Sequence, residues 1–320
     1  MKNILPLLIS IFVLSSCGQK IVKIENKKEI GILPKVTEKI INKNIQFVLL
    51  SFDGSESLAM WQKTRDFAKE MKQKNKPVNF TYFISSVYFL PPNTKDIPSK
   101  IGYSRSLADI PKRIEQVNLA QSEGHEIASH MNGHFRATDW SEKKWMDEFD
   151  IFNKVSPIKT IGFRSPLLSR NENLYKVLPK FGYKYDSSGV GKMGEMPIKD
   201  KYGIWEIPLV TMTLPGGGAT LSMDYNIYID QTGAKDILKK DTLEWNKNYN
   251  QAVGAFQNYF NKNYNGTRAP VVIGNHFSLW NDGLYFEALK TFANNVCGLP
   301  DVKCGTFSEL VESLELRVTN

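Results

Sequence analysis

Three of the four histidines in this chain fall in one stretch, Gly124-His125-Glu126-Ile127-Ala128-Ser129-His130-Met131-Asn132-Gly133-His134. His130 and His134 are spaced i, i+4, which on a helical turn places both imidazoles on one face, about 6 Å apart along the axis. Neutral imidazole is the commonest protein ligand for zinc, and a pair fixed on one turn gives up little entropy on binding the ion. A catalytic zinc takes a third protein ligand, often a carboxylate, with water in the last place, so that ligand must come from elsewhere. Taken alone, such a pair reads more simply as a half-exposed helix face, and its weight depends on what accompanies it.

Three further polar residues share an address. Asp53 closes Ser51-Phe52-Asp53-Gly54-Ser55, Arg164 follows Thr160 to Phe163, and His276 follows Pro270 to Gly274 and Asn275. Each sits just past an apolar run of strand length. Gln46 to Phe52 is nearly continuous in apolar residues, as in a strand buried on both faces. Glu56 to Lys72 places Leu58, Trp61, Ala68 and Met71 at helical spacing, Asn79 to Ser85 is a second strand, and Ile114, Val117 and Ala120 line a helix that stops at Gly124. The alternation continues with the Thr160 to Phe163 strand, a helix carrying Leu174, Val177, Leu178 and Phe181 that Gly182 closes, and strands over Ile204 to Val210 and Val271 to Asn275. Strands alternating with helices imply an α/β fold with a parallel sheet, and the length suits a (β/α) barrel, complete or distorted, as one catalytic domain over 45–320. Barrel active sites are built from loops at the carboxyl ends of strands, where Asp53, Arg164 and His276 all fall.

The N-terminus reads differently. Met1-Lys2-Asn3 precedes an apolar run, Ile4 to Leu14, too short to span a bilayer as a helix. It has the form of a signal peptide over 1–16. Leu14-Ser15-Ser16-Cys17 resembles the lipobox of bacterial lipoproteins, which implies cleavage before Cys17 and lipidation of its thiol. The expectation is an exported cell-envelope lipoprotein held at a membrane surface without spanning it, periplasmic or outer-membrane-anchored if the cell is Gram-negative. Residues 17–44, rich in Lys, Glu, Ile and Asn, read as a tether. The net charge of +8 is spread over scattered lysines, with no basic run interleaved with aromatics, so a nucleic-acid partner is not expected. Cys297 and Cys304 are either a short disulfide loop or two free thiols.

Read together, these motifs resemble the polysaccharide deacetylases of carbohydrate esterase family four, the NodB homology domain. Ser51-Phe52-Asp53-Gly54-Ser55 matches in part a first motif Thr-Phe-Asp-Asp-Gly-Pro. Gly124 to His134 matches Gly-His-Glu-Ile followed by His-x-x-x-His, and Phe163-Arg164-Ser165-Pro166 with Asn171 or Asn173 and Gly182-Tyr183 matches the third motif. Trp205-Glu206-Ile207-Pro208, Ile273 to His276 and Thr306 to Leu310 match the remainder in order, from about residue 46 to 315. The resemblance implies metal-dependent removal of an N-acetyl group from an amino sugar in a polymer such as peptidoglycan or another GlcNAc-containing glycan. It further implies His130 and His134 as ligands to a divalent metal, zinc first and cobalt as the alternative, His276 as general acid, Arg164 as the residue orienting the catalytic carboxylate, and the Leu167 amide in the oxyanion hole.

The main departure lies at Asp53, which Gly54 follows where the family has a second aspartate. Alignment gives Asp53 the role of base, whereas ligand counting gives it the metal, with Glu56, Asp186 or Asp282 then left as base. The metal role is the one favoured by sequence, since an ion on two imidazoles alone is easily lost. Met131, Leu167 and Asp186-Ser187-Ser188 also depart from the family pattern. A glycan-binding lipoprotein without catalysis is the competing reading. His125 reads as structural. Of Trp205, Trp245 and Trp280, only Trp280 lies at a strand end where it could stack on sugar, and the loop from Val87 to about Ser106 either walls the cleft or moves freely.

Overall fold

The computed structural model describes residues 45–104 and 106–318. The signal peptide, Cys17 and the tether lie outside the described residues. The first half of the domain runs β1 (Gln46–Asp53), α1 (Leu58–Gln73), β2 (Thr81–Ile84), α2 (Asp109–Ser122), β3 (Glu126–Ser129), α3 (Glu142–Val155), β4 (Gly162–Phe163), α4 (Glu172–Val177) and β5 (Tyr185–Asp186). The second half runs β6 (Val190–Lys192), β7 (Ile198–Lys199), β8 (Trp205–Glu206), β9 (Leu209–Thr213), β10 (Ala219–Leu221), α5 (Asp224–Thr232), α6 (Leu243–Tyr264), β11 (Val271–His276), α7 (Trp280–Val296), β12 (Val302–Gly305) and α8 (Phe307–Val318).

A curled sheet in the order β11-β1-β2-β3-β4-β5-β8-β7 carries the site, and within it only β7 runs antiparallel to its neighbour. β1 is the hub. Its later residues pair with β2 on one edge and β11 on the other, while β12 takes the lower part of the β2 edge, Gln46 to Leu49. Every residue of β1 is buried, which is why its sequence shows no polar alternation. Helices cover the outside, with Trp61, Phe256 and Phe292 among the fully buried side chains, and α8 packs Phe307 and Leu310 against the inner set of Phe47, Phe83 and Tyr185. A small second sheet, β10-β9-β6, abuts β11 through a bridge between Met223 and Gly274.

The distorted (β/α) barrel read from the sequence is therefore the architecture observed. α1, β2, β4 and β11 lie where periodicity places them, and Gly182 ends the helical segment after α4 with φ of 79°, a left-handed cap. The expected Ile204 to Val210 strand is two strands, β8 and β9, belonging to different sheets. Pro208 between them lacks an amide donor and cannot continue a ladder. Cys297 and Cys304 are joined in a disulfide that ties the end of α7 to β12, with Cα atoms 5.7 Å apart. The segment after Val87 is held against the histidine loop, with Lys100 N–H donating to the Gly133 carbonyl at 2.7 Å.

Candidate functional site

Parallel register brings the polar residues to one end of the barrel. Asp53, the last residue of β1, is level with His276, the last of β11, and with Phe83 on β2. His130 follows the last residue of β3, its amide donating to the Ile84 carbonyl at 2.8 Å, and Arg164 follows β4, its amide donating to the Ser129 carbonyl at 3.0 Å.

One expectation fails here. His130 and His134 do not lie on a helical turn, because the chain leaves β3 into a loop in which Met131 (φ 61°) and His134 (φ 55°) are both left-handed. That loop is shaped by α3. The buried carboxylate of Glu148 accepts the Asn132 and Gly133 amides at 2.9 and 2.7 Å, and burial pushes the Glu148 pKa up while these two donors pull it down. The loop nonetheless brings the two imidazoles together, ring centres 5.3 Å apart and planes 67° to each other.

Arg164 is completely buried, a costly position for a guanidinium that its partners offset. Its Nη1 donates to Ser51 Oγ at 2.8 Å and to Asp53 Oδ1 at 2.9 Å, its Nη2 to Ser187 Oγ at 2.9 Å, and its plane lies over the Phe83 ring at 4.3 Å. Burial raises the Asp53 pKa, but the positive charge of Arg164 and the hydrogen bond it donates outweigh it and hold the carboxyl below its ordinary range. Asp53 is thus an anion locked in place at neutral pH.

His276 has a partner that the sequence reading missed. Its Nδ1–H donates to Asp224 Oδ1 at 2.7 Å, and its backbone N–H donates to Asp224 Oδ2 at 2.8 Å. Asp224 is the first residue of α5 and only 3% exposed. Burial would lower the imidazole pKa, yet the adjacent carboxylate overrides it and raises the value above the ordinary one. His130 and His134 go the other way. Burial drives His130 down to about 3 and lowers His134 as well, so both imidazoles are neutral at physiological pH.

Whether a divalent ion fits can be judged from these donors. His130 Nδ1–H donates to the Arg164 carbonyl at 2.8 Å, which fixes the tautomer and leaves Nε2 with its lone pair. Two imidazoles on one tetrahedral zinc have ring centres about 5 Å apart, close to the spacing of this pair. The pair fits an ion. Among the described residues no three His, Cys, Asp or Glu side chains are grouped to hold a metal, yet the Asp53 carboxylate stands close enough to both imidazoles for its charge to favour their protonated forms. Asp53 Oδ1 accepts from Arg164, and Gly54, at φ 96°, contributes no side chain.

The other named residues separate. Leu167 lies beside Arg164 in a tight turn with φ of 56°, 59% exposed, and its amide has no protein acceptor among the described residues. Trp280 packs 5.4 Å from the His276 ring. The Asp186 carboxylate is directed to Tyr175 and Ser188, and Asp282 accepts the Lys240 amide at 3.2 Å. Arg113 holds the backbone carbonyl of Glu56 at 3.0 and 2.9 Å. His125 accepts the Phe80 amide at 3.0 Å and stacks on the Phe80 ring, a structural placement at the amino end of β3, away from the carboxyl ends of the strands.

No family model and no curated protein matches the sequence. Solved structures do. A Mycobacterium smegmatis structure provisionally assigned as a polysaccharide deacetylase superposes with a TM-score of 0.56 at 18% identity, over 87% of this chain and 93% of that one. A Pseudomonas aeruginosa PAO1 structure with the same provisional assignment gives 0.54 at 13% identity, over 85% and 92%. The fold shared with these two structures is the distorted (β/α) barrel.

Proposed function

We propose that this protein is a metal-dependent hydrolase that removes acetyl groups from N-acetylated amino sugars of a polysaccharide outside the cytoplasm, peptidoglycan or another GlcNAc-containing glycan. The observation that carries the reading is the pairing of two oppositely tuned groups at neighbouring strand ends. Asp53 is held anionic by Arg164, and Asp224 favours the protonated form of His276, beside two neutral imidazoles. Such a separation of pKa values supports Asp53 as the base and His276 as the acid of a hydrolysis.

The Arg164 contact favours Asp53 as the base rather than the ligand that counting alone suggested. An ion bound by His130 and His134 would supply Lewis-acid polarisation of the amide carbonyl. Asp53 takes a proton from the attacking water as the water oxygen bonds to the carbonyl carbon. The Leu167 N–H donates to the oxygen that gains charge. His276 then gives its Nε2 proton to the amide nitrogen as the carbon–nitrogen bond breaks, releasing acetate and a free amine. Ser51 and Ser187 keep Arg164 from turning away, so Asp53 stays in register through the cycle.

The lipobox-like Leu14 to Cys17 supports attachment to a membrane surface through a lipid on Cys17, with the catalytic domain in the cell envelope beside its polymer. Acetate release from N-acetylchitooligosaccharides and from peptidoglycan, with zinc or cobalt added and with a chelator, tests the function. The expected result is release that the chelator stops. Binding of glycan with no release under any metal favours instead a non-catalytic glycan-binding protein.

A further inference from the structure

α5 starts at the residue that grips His276, and its second residue, Tyr225, lies over the site. The Tyr225 amide donates to Asp224 Oδ1 at 2.6 Å, tying the backbone that carries the ring to the acid's partner. The ring centre lies 5.9 Å from the His276 imidazole and 5.3 Å from Trp280, yet the residue is 41% exposed. Trp280, the aromatic that sequence reading puts forward, is otherwise engaged. It stacks on Tyr228 with ring centres 5.0 Å apart and planes 3° from parallel, which covers one of its faces.

The strip continues from Tyr225. Ile229, one turn further along α5 and so on the same side of the helix, is 40% exposed. Two apolar residues left open on one helix face beside an acid–base pair are a binding surface rather than unused core.

We propose that Tyr225 is the residue on which a pyranose ring of the substrate stacks, with Ile229 supporting the next sugar of the chain and Trp280 backing the platform from below. The proposal rests on the deacetylase reading and adds to it that the substrate is a chain running over the N-terminal half of α5. The C–H face of a pyranose covers the Tyr ring while the phenol hydroxyl stays wet, the usual division of a tyrosine at a recognition surface.

The test compares N-acetylchitohexaose with N-acetylchitobiose on the wild type, Tyr225→Ala, Tyr225→Phe and Ile229→Ser, reading KM and kcat separately and binding by tryptophan fluorescence. Thermal melts and the imidazole titration of His276 serve as checks on the fold. Tyr225→Ala is expected to raise KM and the hexamer dissociation constant about tenfold, equivalent to a contact of ordinary strength, with the loss on KM rather than kcat. Tyr225→Phe recovers most of the affinity, and Ile229→Ser narrows the preference for hexamer over dimer. A folded Tyr225→Ala protein with wild-type KM and length preference overturns the proposal, as does a loss confined to kcat with a shifted His276 titration, which would make the ring a support for the acid alone. A wild type that neither binds nor deacetylates these sugars overturns the deacetylase reading and this proposal together.

Discussion

Replacing Asp224 with Asn removes a charge from beside His276 while keeping the side chain's shape. The carboxylate and imidazole are 2.7 Å apart through Oδ1 and Nδ1, and Asp224 is 3% exposed while the His276 side chain is 29% exposed. Unit charges about 4 Å apart at an effective dielectric of about 20 attract by about 4 kcal/mol. The partial exposure of His276 reduces this to roughly 2–3 kcal/mol. Asparagine also presents an N–H where one of two donors from His276 needs an acceptor. The sign follows from the direction of the shift: the folded pKa of His276 lies above its ordinary value, so the acid is fully present below the ordinary value and is lost as pH rises through the folded one. In Asp224→Asn the basic limb of kcat/KM should move to lower pH, cutting the rate on the alkaline side of that limb by on the order of 100-fold, the equivalent of that energy, and sparing it at acid pH. With only four histidines in the chain, the imidazole signals can be followed individually by NMR, independently of turnover. An unmoved His276 titration, or a uniform loss of rate with the limb unshifted, would refute the reasoning.

Three other outcomes follow from the same geometry. Glu148→Ala removes the acceptor of two loop amides and is expected to cost about 3 kcal/mol in urea unfolding and to weaken zinc binding, because the loop between His130 and His134 loses its anchor. His125, driven by burial down to about 4, is neutral when folded but takes a proton when unfolded below about 6.5. Its contribution is therefore full above pH 6.5 and lost as pH falls toward 4, by about 3 kcal/mol, and urea melts of His125→Asn should show a shallower acid slope than the wild type. Gly54→Asp places a carboxyl beside Asp53, where nothing lies within 4 Å of an added Cβ, at a backbone φ of 96° that disfavours a side chain. Calorimetry should find tighter zinc binding, at a stability cost of about 1–3 kcal/mol; unchanged affinity would show that the extra carboxyl does not reach the ion.

Much of this site was legible because each strand announces its own end. The apolar runs before Asp53, Arg164 and His276 are strands buried on both faces, and in a parallel barrel their carboxyl ends must gather. The helical turn for His130 and His134 was a misreading, since i, i+4 spacing is shared by a helix face and by a loop with two left-handed residues. Nothing local marks Met131 and His134 as left-handed; the Glu148 carboxylate, far along the chain, helps to fix the loop. Asp224 was missed for a related reason. It lies outside any motif, and its meaning depends on a fold that carries the start of α5 to the end of β11. Residue types leave the role of Asp53 open, and the proposed role as base rests on its contact with Arg164.

The central claim is that Asp53, oriented by Arg164, is the proton acceptor, while the two imidazoles hold the ion. Bound zinc and acetate release measured on one preparation of Asp53→Asn test it most directly. The account predicts zinc retained at the wild-type ratio with turnover lost by at least about 100-fold. Zinc lost together with turnover would make Asp53 a ligand, and turnover that survives the substitution would contradict the account altogether.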